Sequence, residues 1–228
     1  MAICRTRRGG VDAVSVEDRR VKRLPREVRE KQILDAAVRV FSEHGYHEAS
    51  MDEVSEVAGV SKPMIYAYLG SKEDLFAACI RREAGLLLEA IVAGVDATVA
   101  PDMQLWMGLK AFFEFVGGNK QSWRVLHRQV ISQGGPFSDE VLAMRSRAIT
   151  LVDALLVGVA TKRGMDEHAQ KSTEAMSAAL VGASESLADW WLDHPAVPTR
   201  TVVAWLMNLV WMGFGDLVEG NTWSPSDH

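Results

Sequence analysis

Thiols are scarce: Cys4 and Cys79 are the only cysteines in 228 residues, far apart and in no CxxC or Cys/His spacing. That excludes a disulfide framework and a regularly spaced structural zinc site, and it fits a reducing, cytoplasmic setting. No phosphate-cradling glycine loop occurs, which excludes the common nucleotide fingerprints. Long apolar runs are missing as well. The most apolar one, Val202 to Val218, is interrupted by Asn208 and Asp216, falls short of a membrane span and reads as a buried helix. The basic N-terminus MAICRTRRGGVD has no apolar stretch behind it, which argues against a secretory signal. Catalytic signatures are equally thin. GASES, Gly182 to Ser186, lacks the last glycine of a nucleophile elbow and falls within a helical pattern. His44 and His47, with Glu43 and Glu48, have metal-ligand chemistry but straddle Gly45 at a helix end, where a structural role is the simpler reading. The expectation is a non-enzyme without cofactor, metal or membrane partner.

What is present is a globular composition, 48% hydrophobic and 24% charged, enough to bury a sizeable core. The formal net charge of −5 conceals a split. Residues 1–82 hold 15 Lys/Arg against 13 Asp/Glu, whereas residues 83–228 hold 10 against 17. Such asymmetry is a cue to an anionic partner at the basic end, although a solvated charged face gives the same signal.

Residues 1–25 carry arginines at 5, 7, 8, 19, 20 and 23 with little apolar periodicity, the pattern of a basic disordered arm. From Arg26 to His44, Ile33, Ala36, Ala37, Val40 and Phe41 recur at three and four, marking an amphipathic helix that Gly45 ends with a left-handed cap. Ser50 to Glu53 form a Ser-x-x-Glu capping box for a two-turn helix from Met51, closed by Gly59. Ser61 caps another from Lys62, with Pro63 in the first turn, where a missing N–H removes no helical bond. Ser71-Lys72-Glu73-Asp74 caps a fourth that runs to about Val95. Helices are further expected at 103–116, 121–131, 138–162, 167–193 and 199–219, punctuated by Gly and Pro. With no convincing strand, the fold class is all-α.

Two short helices joined by Gly59-Val60 after a longer one have the spacing of a helix-turn-helix, whose second helix enters the DNA major groove. Ile65 and Leu69 anchor that helix on Val40, Phe41, Val54 and Ala58. The opposite face offers Lys62, Pro63, Met64, Tyr66, Ala67 and Tyr68. Lysine reaches guanine acceptors or phosphates, tyrosine hydroxyls donate to phosphates, and Pro, Met and Ala touch thymine methyls. Ser50, Ser61 and Ser71 mark helix N-termini that attract phosphate, and Lys72 stands at one of them. A helical ligand-binding protein whose helix-turn-helix contacts a protein partner is the alternative on this pattern alone.

The stretch ASMDEVSEVAGVSKPMIYAYLGSKEDLF, preceded by QILDAAVRVFSEHGYHEAS, resembles the N-terminal helix-turn-helix of the tetracycline-repressor (TetR) family from about Arg29 to Ile80. The Gly-Val-Ser turn, Tyr66 and the Ser-Lys-Glu-Asp-Leu entry to the fourth helix occur together in register. Leu69 stands where Phe is usual, a tolerable core swap, and Gly70 stands where a more polar residue is usual, which slightly weakens the phosphate contacts expected there. The resemblance implies a homodimeric, ligand-responsive regulator, most often a repressor on a near-palindromic double-stranded DNA operator. It places Ser50, Ser61, Tyr66, Tyr68 and Lys72 near phosphates, and Lys62, Pro63, Met64 and Ala67 at bases. It implies a helix-turn-helix domain over 26–71 and a helical regulatory and dimerisation domain over 72–228. The segment is also similar to actinobacterial members that sense lipids or acyl-CoA, so a small hydrophobic, lipid-like effector is expected.

In the second half, Trp106, Phe112 and Phe113 lie on one helical pattern, and Trp123, Leu126, His127 and Val130 form a stripe on the next. With Leu151, Met176 and Leu180 they are the candidate effector contacts; plain core is the competing reading of such a stripe. The last two helices are apolar over more than one face and need cover, which predicts an isologous four-helix dimer interface through Leu187, Trp191, Trp205, Leu209 and Met212.

Overall fold

The computed structural model describes residues 25–128, 138–162 and 167–218, and among them every regular element is a helix. These are α1 (Arg26–Glu48), α2 (Met51–Ala58), α3 (Lys62–Leu69), α4 (Lys72–Gly94), α5 (Pro101–Gly118), α6 (Lys120–Trp123, continued by a π-helical turn over Arg124–Arg128), α7 (Ser138–Lys162), α8 (Glu167–Leu192) and α9 (Thr199–Val218). Residues 1–24 of the expected arm and residues 129–131 of the expected sixth helix lie outside the described residues.

Local chemistry explains the first four elements. Gly59 closes α2 at φ 62° and ψ 35°, a left-handed conformation that glycine adopts without a Cβ penalty. Ser71 Oγ accepts from Asp74 N at 3.1 Å while Asp74 Oδ2 accepts from Ser71 N at 2.9 Å, a reciprocal box at the head of α4. Three expectations need correction. Gly45 does not end α1 in the left-handed region: it kinks the chain at φ 78° and ψ 171°, and a last turn continues to Glu48. Ser50 accepts from Asp52 N at 3.2 Å, but Glu53 turns to His44 Nε2 at 3.0 Å instead of completing a box. Ser61 makes no side-chain cap, and α3 starts on Pro63 in its first turn alone.

Packing then joins the pieces. Ile33, Phe41, Val54 and Ile65 from α1 to α3 are buried together with Leu75 and Phe76 from α4. Phe41 and Phe76 meet edge to face with centroids 4.8 Å apart. The fourth helix therefore belongs to the core of the helix-turn-helix at its start and packs against α5 and α7 further on. Arg82 Nη1 donates to Asp35 Oδ1 at 2.8 Å, tying α4 to α1. A second tie comes from α6 and its π turn, which pack on α1 and α4. The expected buried helix at the C-terminal end is two-faced: Val202, Val203, Leu206 and Val210 are buried, whereas Trp205 and Leu209 are exposed. No helix among the described residues is long and apolar enough to cross a membrane.

Candidate DNA interface and effector cavity

The short helices hold the expected reader residues in one region. Ile65 is fully buried and Leu69 packs against the core, so α3 turns Pro63, Tyr66 and Ala67 to solvent, with Tyr66 45% exposed. Met64 and Tyr68 are half-buried, and the Arg26 guanidinium lies over the Tyr68 ring at 5.5 Å. Neither lysine is a loose surface charge. Lys62 Nζ lies 2.9 Å from Asp52 Oδ2, a contact that raises the ammonium above its ordinary range. Lys72 Nζ donates to the His47 carbonyl at 3.0 Å and sits 5.0 Å from the Tyr46 ring centroid, so it closes the C-terminal end of α1. Tyr46 in turn donates to Glu73 Oε1 at 2.6 Å; burial and that carboxylate push its phenol up to about 12.

The second feature is a cavity of about 420 Å³ enclosed by α4, α5, α7 and α8. Its size falls within the usual range for small-molecule sites, about 300–1,000 Å³. The wall is almost wholly apolar. Of its polar side chains, Gln104 Nε2 already donates to the carbonyls of Val99 at 2.8 Å and Ala97 at 3.3 Å, and the Ser184 hydroxyl donates to the Leu180 carbonyl at 2.7 Å. Val92 and Leu151, both lining residues, are 57% and 45% exposed, so the mouth is apolar too. The GASES stretch lies inside α8, where its helical pattern put it, and the Ser184 hydroxyl is engaged there with the Leu180 carbonyl.

Phe112, Leu151 and Leu180 line this cavity as expected, but most of the aromatic stripe does not. Phe113 is fully buried between Phe112 and Trp191, at centroid distances of 5.1 and 5.7 Å. Trp123 donates its indole N–H to Asp189 Oδ1 at 2.8 Å and stacks on His127 at 4.9 Å. His127 Nδ1 is 2.9 Å from Asp189 Oδ2, close enough for an ion pair but outside hydrogen-bond geometry. Leu126 is buried, Trp106 and Met176 pack against the core, and none of the six lines the cavity. Val130 lies outside the described residues. Sequence reasoning missed the wall supplied by α4, chiefly Leu87, Leu88 and Ile91, although apolar residues at 87, 88, 91, 92 and 95 cover too broad an arc for one seam.

Trp191 also moves. It is buried under Gly117, where an added Cβ would come within 2.8 Å of the indole, and its N–H donates to the Val197 carbonyl at 2.8 Å. Leu187 likewise packs on the core, and the Met212 side chain lies outside the described part of α9. Trp205 and Leu209 face solvent, 48% and 70% exposed, and Trp190 joins them with its ring 6.1 Å from Trp205.

Beside the cavity, Glu185 on α8 meets Arg145 Nη2 of α7 at 3.3 Å. Burial raises its carboxyl above the ordinary range, against the opposing pull of Arg145 and His127. A carboxyl that protonates more readily folded than unfolded costs stability at neutral pH, and the cost is relieved as pH falls through the raised value. Glu185→Gln is therefore expected to flatten the stability profile between neutral pH and the ordinary glutamate value of about 4.3, read by urea unfolding at each pH.

Comparison with known proteins decides the family. Residues 33–79 match the model of the tetR family of bacterial regulatory proteins, and residues 101–213 match the tetracyclin repressor-like C-terminal domain. The HTH-type transcriptional activator FasR of Mycolicibacterium smegmatis is 30% identical over 179 residues, 78% of each chain. The chain belongs to the TetR family. It is a DNA-binding transcriptional regulator with the family's N-terminal helix-turn-helix and C-terminal helical domain. A TetR-like regulator from Rhodococcus sp. RHA1 is 41% identical with TM-score 0.71, the match covering 85% of this chain and 99% of that one. FadR of Bacillus subtilis, solved in complex with stearoyl-CoA, shares the fold at 18% identity and TM-score 0.64, covering 79% of this chain and 96% of its own.

Proposed function

We propose that this TetR-family regulator acts as a homodimeric repressor whose two α3 helices read a near-palindromic operator and which an apolar, lipid-like effector releases. The observation that carries the effector half is the apolar cavity: one of its walls is α4, the helix whose start lies in the core of the DNA reader. Burying about ten methylenes there is worth roughly 8 kcal/mol before ordering costs, so longer chains or polar contacts at the mouth must supply the rest of a micromolar affinity. The engaged polar groups of the wall favour a ligand that brings an alkyl chain inside and leaves its polar end at the mouth. The B. subtilis FadR complex with stearoyl-CoA supports that chemistry within the same fold.

Release requires that the effector bind better to a dimer whose reading helices are mis-spaced; couplings of about 1–3 kcal/mol, 5–150-fold, are typical. The fourth helix is the lever of this reading, since Arg82 fastens it to Asp35 of α1 while Leu87, Leu88 and Ile91 face the cavity. The test is titration of labelled operator complex with stearoyl-CoA and with free stearate. Release by either at micromolar concentration is expected; complexes indifferent to both, and to shorter and longer chains, would overturn the effector assignment. A promoter reporter reads the sign of regulation, and a rise in transcription on effector addition is expected of a repressor.

On the DNA side, Ser50, Ser61, Tyr66, Tyr68 and Lys72 take phosphates, while Lys62, Pro63, Met64 and Ala67 face bases. Tyr66→Phe removes a hydroxyl that donates to phosphate, so it is expected to weaken cognate and non-cognate duplexes by the same factor, about threefold to tenfold. Binding isotherms on one cognate and one scrambled duplex check this; a loss confined to the cognate duplex would assign Tyr66 to base readout instead.

A further inference from the structure

Asp52 is an odd residue to find at a DNA interface. It lies in the first turn of α2, its N–H bonded to Ser50 Oγ at 3.2 Å, and its side chain is 75% exposed. Its Oδ2 reaches across to the start of α3 and accepts from Lys62 Nζ at 2.9 Å. An unpaired carboxylate beside Ser50 and Lys62 would repel phosphate; paired, the two side chains bring no net charge to the duplex. The pairing does more than neutralise. A free lysine carries its ammonium on a flexible four-carbon stem and settles on the nearest phosphate, a contact available on every sequence. An ammonium held at 2.9 Å by a carboxylate on the neighbouring helix is biased away from that contact, by the modest margin of an exposed ion pair.

We propose that Asp52 is a positioning residue for sequence readout: it keeps the Lys62 ammonium off the phosphates and presents it to base edges, which lowers affinity for non-cognate DNA and sharpens preference at the bases Lys62 reads. Specificity is a difference of affinities, and withholding a phosphate contact from wrong sequences raises that difference as surely as adding a base contact to the right one. The inference rests on the DNA interface proposed above and adds a residue to it.

The test compares the full-length protein with Asp52→Asn, Lys62→Ala and the double variant, after matching circular-dichroism melting curves. Each selects duplexes from a random pool, and each is titrated with one non-cognate duplex at several salt concentrations. Asp52→Asn, which frees one cation, is expected to bind the non-cognate duplex about eightfold more tightly at 0.1 M salt, with a salt slope steeper by about 0.9. It should also lose preference at the same base positions as Lys62→Ala, and the double variant should show the preference of Lys62→Ala. If Asp52→Asn tightens binding but keeps the wild-type base preference, or alters other positions, Asp52 acts as bulk charge alone and the proposal is overturned. A wild-type protein that enriches no site in the same pool would instead overturn the interface itself, and this inference with it.

Discussion

Leu209→Lys combined with Trp205→Ser is expected to leave a folded monomer that no longer holds an operator. Leu209 is 70% exposed and Trp205 48%, and with Trp190 they form an apolar cluster on α8 and α9 that a single chain leaves in solvent. The opposite face of α9 carries the intrachain contacts, with Val202, Val203, Leu206 and Val210 all buried and α9 packed on α5. The substitutions therefore spare the protomer core. In an isologous dimer each of these side chains is buried once per protomer, and a lysine placed there buries a charge in each half of the interface. Without the dimer each reader binds one half-site, and the gain from linked binding, 10²–10⁴-fold in apparent affinity, disappears. Sedimentation velocity and operator titration read the two effects. A variant that stays dimeric and keeps its operator affinity would place the interface elsewhere.

Leu151→Trp is expected to shift the response to effector to at least tenfold higher concentration while leaving operator binding intact. Leu151 lines the cavity at its mouth and is 45% exposed, so a larger ring can occupy the opening without displacing core side chains. An alkyl chain would then have to compete with a tethered indole, and a loss of at least tenfold in effector affinity follows from burying only two fewer methylenes. The operator complex should form as in the wild type and resist stearoyl-CoA at concentrations that release the wild type. A variant released at the wild-type concentration would show that the effector enters by another route or does not use this cavity.

How much of this was legible in the sequence depended on how local the determining contacts are. The helix-turn-helix was readable because its signals act within a few residues: Gly59 at a left-handed turn, Pro63 in the first turn of α3, Ser71 and Asp74 in reciprocal caps. The Ser50 box failed because Glu53 found a partner nine residues away, His44, that no local pattern reports. The partners of Lys62 and Lys72, Asp52 and the His47 carbonyl, lie on other elements for the same reason.

The cavity was harder. A stripe of large aromatics marks volume to be buried without saying whether protein or ligand fills the space beside it, and here Trp123 and Phe113 became core while Phe112 faced the cavity. The residues of α4 that line it form an apolar arc broader than one seam, a signal that says the face is covered without saying by what. The two adjacent tryptophans of α8 make the point most simply. Trp190 faces solvent and Trp191 lies under Gly117, and only the packing of α5 on α8 decides which is which.

The central claim is a dimeric reader of symmetric DNA. It is tested most directly by selecting duplexes from a random pool with the purified wild-type protein at two salt concentrations and sequencing what is retained. The account predicts enrichment of a near-palindromic site at both salts, with half-site centres one helical turn apart, about 34–36 Å, or a multiple of it, and weaker total retention at the higher salt. Retention without any enriched sequence, or an enriched site with a single unpaired half, would contradict it.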